Sequence, residues 1–134
     1  MKKQLSKVFF VLFTSLTLLS SCSSDSSSSS GDESTLMNKW WYDSENFTAD
    51  VFFNSNGEYL QNLVFGGSSF SNTGTWVWVN QSQKIMKVSY QTGTNAVTEV
   101  WFKFSNIQDH SFSIKQSTDG TTYSDARSYT DSDN

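Results

Sequence analysis

Proline is absent from the 134 residues, cysteine and histidine occur once each, and only 16% of positions are charged. Each scarcity excludes something. A single thiol closes no intrachain disulfide, so a folded domain here must be held by its core alone. One imidazole and one thiol cannot supply the ligand set of a zinc site. Long apolar segments are missing as well. The run VFFVLFTSLTLL, Val8 to Leu19, falls well short of the roughly 20 residues that cross about 30 Å of hydrocarbon. Basic residues are few, nine against thirteen acidic ones for a net charge of −4, and Lys2, Lys3 and Lys7 precede the apolar run. Without residues 1–21 the balance is six basic to thirteen acidic groups, or −7. Such a surface argues against nucleic acid as a partner and against docking on anionic lipid.

Three lysines, a short apolar run and the small residues Ser20 and Ser21 form the layout of a signal peptide over residues 1–21. The junction Leu19-Ser20-Ser21-Cys22 resembles the bacterial lipobox, in which a branched apolar residue and two small residues lead to a cysteine. That resemblance implies a thioether-linked diacylglyceryl group on Cys22 and acylation of its new amino group. Two or three chains hold stably in a bilayer where one holds marginally. The serine-rich segment 22–35 that follows has no apolar periodicity and reads as a flexible tether. Asp does not directly follow Cys22, so the junction does not resemble the inner-membrane retention signal of enterobacterial lipoproteins. The expected location is therefore the outer membrane, on its periplasmic face or at the cell surface.

Residues 36–134 are of a size to form one domain. Aromatic and β-branched runs alternate there with Asn, Gly, Ser and Asp clusters at intervals near ten residues, an all-β pattern. The runs predict strands at 40–42, 47–53, 58–65, 74–79, 84–90, 97–104, 111–116 and 121–129. Short turn-forming connections such as NSNGE and STDGTT predict antiparallel neighbours. Alternation puts Phe47, Ala49, Val51 and Phe53 on one face, and Thr98, Val100, Phe102 and Phe104 on one face of another strand. In TGTWVWVN both phases are apolar, so Trp76 and Trp78 can face the interior or the solvent, with Val77 and Val79 opposite.

The segments LMNKWWY, VFFNSNGEYL and TGTWVWVNQSQKIMKVSY together resemble the small lipocalin-like domains of Bacteroidetes lipoproteins, with their early Trp, Phe-x-x-x-Gly-x-Tyr hairpin and Gly-Thr-Trp strand. The resemblance implies an antiparallel up-and-down barrel of about eight strands. Asn38 stands where lipocalins carry Gly two residues before the first Trp, and Asn tolerates left-handed backbone next best. It further implies a barrel end where Trp40 lies under a basic side chain of the final strand, Arg127.

No constellation of catalytic residues stands out, and no cofactor is expected. His110 reads as a solvated loop residue beside Asp109. Asp43 with Glu45, or Asp125 with Asp50, are carboxylate pairs that also read as solvated. NSNG at 54–57 lacks the downstream Glu of a calcium loop and is a hairpin turn, as is Asp119-Gly120. Two functions remain. One is a lipid-anchored envelope binding protein holding a small apolar molecule, with Val77 and Val79 lining the cavity. The other is a filled scaffold that meets a glycan or an envelope protein through outward aromatics, among them Trp41, Trp76, Trp78, Tyr90 and Trp101.

Overall fold

A computed structural model describes residues 31–93 and 95–132. The signal-peptide and Cys22 expectations, and most of the tether, lie outside the described residues. A 3-10 helix, Glu33–Leu36, is followed by strands β1 (Trp40–Asp43), β2 (Asp50–Phe53), β3 (Glu58–Phe65), β4 (Ser68–Asn80), β5 (Ile85–Gln91), β6 (Val97–Gln108), β7 (Ser111–Ser117) and β8 (Arg127–Thr130). Each strand pairs antiparallel with the next and β8 pairs with β1, which closes the expected eight-stranded up-and-down barrel.

Four segments differ from the sequence expectation by more than one residue; one is β6, which runs on to Gln108, four residues past the 97–104 run. Residues 47–49 are loop rather than strand, because the Asp43 carboxylate accepts hydrogen bonds from the amides of Glu45, Phe47 and Thr48 and bends the chain around itself. Residues 121–126 are also loop: the Asp119 carboxylate gathers the Thr121 and Thr122 amides. Conversely, β4 starts six residues earlier than the 74–79 run suggested, at Ser68. The Gly66-Gly67 turn, with φ of 59° and 79°, suits the right-handed twist of a two-residue hairpin and lets β3 and β4 run on together.

That β3–β4 hairpin outreaches its neighbours. Pairing of β3 with β2 stops at Asn62, and pairing of β4 with β5 stops at Gly74. The register Leu63↔Phe70 and Phe65↔Ser68 puts Leu63, Phe65 and Phe70 on the barrel-facing side of the projection, with Val64 on its back.

Alternation fills the barrel as expected at Val51, Phe53, Phe102 and Phe104, all buried. Phe47 is the exception in its series, 73% exposed, since it sits on the β1–β2 loop. The ambiguous run is resolved by pairing. Trp76 and Trp78 stand opposite Val88 and Met86, which are fully buried, so both indoles point inward and pack against the core. Val77 and Val79 point outward, 53% and 48% exposed.

One end of the barrel is stoppered. Leu36, the first residue of the expected domain, is fully buried there, and its carbonyl accepts from Trp41 Nε1 at 2.9 Å. The Gly31 amide donates to the Ile107 carbonyl, so the packed domain begins before the expected boundary at 36. Asn38 takes a positive φ of 62° as the chain turns into β1, and its side chain accepts from the Ser55 amide.

Candidate functional site

The opposite end is open. Between the β1–β2 loop and the projecting hairpin lies a cup of about 230 Å³, with Val51, Tyr59, Val100, Phe102 and Tyr129 in its depths and Phe47, Thr48, Ala49, Gln61, Leu63, Tyr90 and Gln116 around them. Strands supply most of these side chains at alternate positions, as in Tyr59, Gln61 and Leu63 of β3, so the backbone fixes them. No lining side chain is charged.

Rings and hydrogen-bonding groups share the wall. Tyr59 lies 6.2 Å from Phe102 and 6.1 Å from Tyr90 between ring centroids. The Tyr59 hydroxyl donates to Gln61 Oε1 at 2.9 Å. Tyr129 shares a 2.8 Å hydrogen bond with the Thr48 hydroxyl and reaches the Ala49 carbonyl. Burial pushes the Tyr59 phenol well above its ordinary value and the Tyr129 phenol up to about 12. Both stay protonated at neutral pH and act as donors.

The loop wall is tied down by Asp43, only 2% exposed. Burial pushes its carboxyl up, but the Glu45 amide, the Thr48 hydroxyl and amide and the Phe47 amide all donate to it, and the net position is below its ordinary value. The Arg127 guanidinium adds a second tie, 5.7 Å from the Phe47 ring and 3.4 Å from Glu45 Oε2.

Of the sequence-derived candidates, Tyr90 alone lines the cup. Val77 and Val79 face away from it. Trp76 and Trp78 form no surface platform: their rings meet edge to face at 6.1 Å, Trp76 Nε1 donates to the Asn54 carbonyl, and Trp78 packs on Phe104. Trp101 lies on the outer wall beside Gly120 and under Lys87 Nζ at 5.9 Å.

Trp40 and Arg127 do not meet. The β1–β8 register, Tyr42↔Thr130 and Asp43↔Tyr129, puts Trp40 at one end of the seam and Arg127 at the other, and Trp40 packs on Phe52 instead. The buried indole beneath a basic side chain is Trp41, with Lys39 Nζ at 4.3 Å from its ring.

Sequence reasoning missed Gln61, Leu63, Gln116 and Tyr129. For Gln61 and Gln116 a signal was available: an amide within the otherwise apolar phase of a strand marks a cavity wall. The acidic candidates are committed elsewhere, Asp43 to its loop and Asp50 Oδ1 to the Asp43 amide. His110 Nδ1 meets Asp131 at 2.8 Å at the stoppered end. Among the described residues no three His, Cys, Asp or Glu side chains gather as metal ligands.

Searches of protein-family models, of curated proteins and of solved structures give no match to this chain.

Proposed function

We propose that this chain is a lipid-anchored envelope binding protein of lipocalin-like fold, and that its open-end cup takes a small neutral amphipathic molecule. The observation that carries the reading is the composition of the cup: aromatic faces and amide or hydroxyl groups, with no charge. At about 230 Å³ it is smaller than the roughly 300–1,000 Å³ of typical ligand pockets. It suits a single hydrogen-bonding ring better than an acyl chain. From Leu63 in the cup wall, Phe65 and Phe70 extend the apolar surface beyond the cup and suit an apolar portion of the same ligand.

The inward turn of Trp76 and Trp78 favours this reading over a scaffold that engages its partner through those rings. The test is titration of the mature chain with the neutral fluorophore N-phenyl-1-naphthylamine. Saturable binding in the micromolar range, about −8 kcal/mol, is expected. Val100→Trp, which fills the cup, should abolish it, with Leu63→Trp as a second filled variant should the first fail to fold. A probe that does not bind, or binds folded filled variants equally well, defeats the proposal. The anchor has its own readout: Cys22→Ser should leave an unprocessed precursor that no longer fractionates with membranes as the wild type does.

A further inference from the structure

On the outer wall, the β6–β7 register sets Lys103 directly opposite Lys115. Like charges in that relation sit side by side, at about 4.5–5.5 Å between Cβ atoms, and oppose each other. Three other cations of this acidic protein have a counter-charge, Lys39 pairing with Asp131, Lys87 with Glu99 and Arg127 with Glu45. Among the described residues neither Lys103 nor Lys115 forms an ion pair.

The β7–β8 loop folds against this wall and makes a groove of it. Gly120 lies so close to Trp101 that a Cβ would stand 3.2 Å from the indole. The loop is held in shape by the Asp119 carboxylate, which accepts from the buried Ser117 hydroxyl at 2.8 Å and from the Thr121 amide at 2.7 Å. The Ser124 amide returns to the Gln116 carbonyl. Thus fixed, Tyr123 lies with its ring centroid 5.9 Å from Lys103 Nζ. Lys103, Phe104, Ser105, Lys115, Thr121 and Tyr123 enclose about 380 Å³. Asp119, the acid nearest in the loop, is turned into its own backbone, and Asp125 is exposed.

We propose that this groove binds a tetrahedral oxyanion ester carried on a sugar, the anion between Lys103 and Lys115, the Ser105 and Thr121 hydroxyls donating to it, and the sugar ring resting on Tyr123. Two ammonium groups and two hydroxyls match the acceptors of a sulfate or phosphate ester, and a flat ring beside them matches a sugar face. The site is on the outside of the barrel and does not depend on the cup.

The experiment titrates the mature chain with glucose 6-phosphate, glucose 6-sulfate, inorganic phosphate and inorganic sulfate, followed by amide chemical shifts and melting temperature at constant low ionic strength. Shifts confined to residues 103–105, 115 and 121–123 are expected, weakening as salt is added. Lys103→Gln or Lys115→Gln should lower ester affinity about tenfold while raising the melting temperature of the unliganded protein, because the opposed charge is gone. Tyr123→Ala should bring the esters down to the affinity of the bare ions. Preference for the phosphate or the sulfate ester identifies which class of sugar the site serves. Equal responses in wild type and the lysine variants, or a lysine variant that melts lower and still binds, overturn the assignment. Wild-type esters that bind no better than the bare ions overturn its sugar half.

Discussion

The two ends of the barrel are built on different terms. At the stoppered end Leu36 and Trp41 are fully buried, tight turns join β2 to β3 and β6 to β7, and Asp131 bridges Lys39 and His110. At the open end Phe47, Val64, Phe65 and Phe70 are 54–75% exposed, and a hairpin projects beyond both neighbouring strands. Apolar side chains are thus sealed at one end and left uncovered at the other, where the cup opens. Under the proposed function, stability and binding are separated along the barrel axis, and substitutions at the two ends should be felt in different measurements.

The sharpest break of that comparison sets Trp41→Ala against Phe47→Ala. The first empties a fully buried site and should cost about 3–5 kcal/mol in urea unfolding. The second removes an exposed ring and should stay within about 0.5 kcal/mol while weakening N-phenyl-1-naphthylamine binding. Comparable losses at the two positions would erase the distinction.

Asp43→Asn comes next, because this carboxylate is the strongest tie at the open end. Its folded pKa lies below the ordinary value, so the stability it contributes is present above the unfolded value near 4 and is lost as pH falls through the folded one. The variant should be about 1–2 kcal/mol less stable at pH 7, and the two proteins should converge on acidification below about pH 4. Unfolding curves collected from pH 7 to pH 2 measure the gap directly.

The smallest effect belongs to Asp131→Asn at the stoppered end. Hydrogen bonds from Lys39 and then His110 hold this carboxyl below its ordinary value, yet its partners are solvent-facing, and the loss should be about 0.5 kcal/mol and shrink with added salt. A larger, salt-insensitive loss would mean that the polar bridge, rather than Leu36 and Trp41, secures that end.

Much of the barrel was legible because turn-forming clusters punctuate the chain so regularly; β3 was read to its exact ends for this reason. The facing of Trp76 and Trp78 was not legible within β4 alone, where both phases are apolar. It was recoverable one strand later. In β5, Met86 and Val88 alternate with Lys87 and Ser89, and cross-strand partners share a face. The irregularity between Trp78 and Asn80 hides that register from a count along the chain, and a slip of one residue reverses every side chain. Trp40 and Trp41 pose the same problem at the barrel end, where choosing the buried member required the pairing of β1 with β2 and β8. The cup was less legible still, since its residues come from most of the strands and from one loop, β1–β2, that the Asp43 carboxylate, not hydrophobic phase, bends into place.

Seven of the eight strand pairings join sequence neighbours, whereas β1 meets β8 through Tyr42↔Thr130 and Asp43↔Tyr129. The hairpins can form from local contacts, but the ring closes only when the first strand finds the last, and non-local pairings of this kind are slow. A molecule in which this one pairing is not made has two bare strand edges, and a bare edge is a template for pairing with another chain. The short pairing of β1 with β8 is thus what removes both edges at once and protects the sheet from strand exchange.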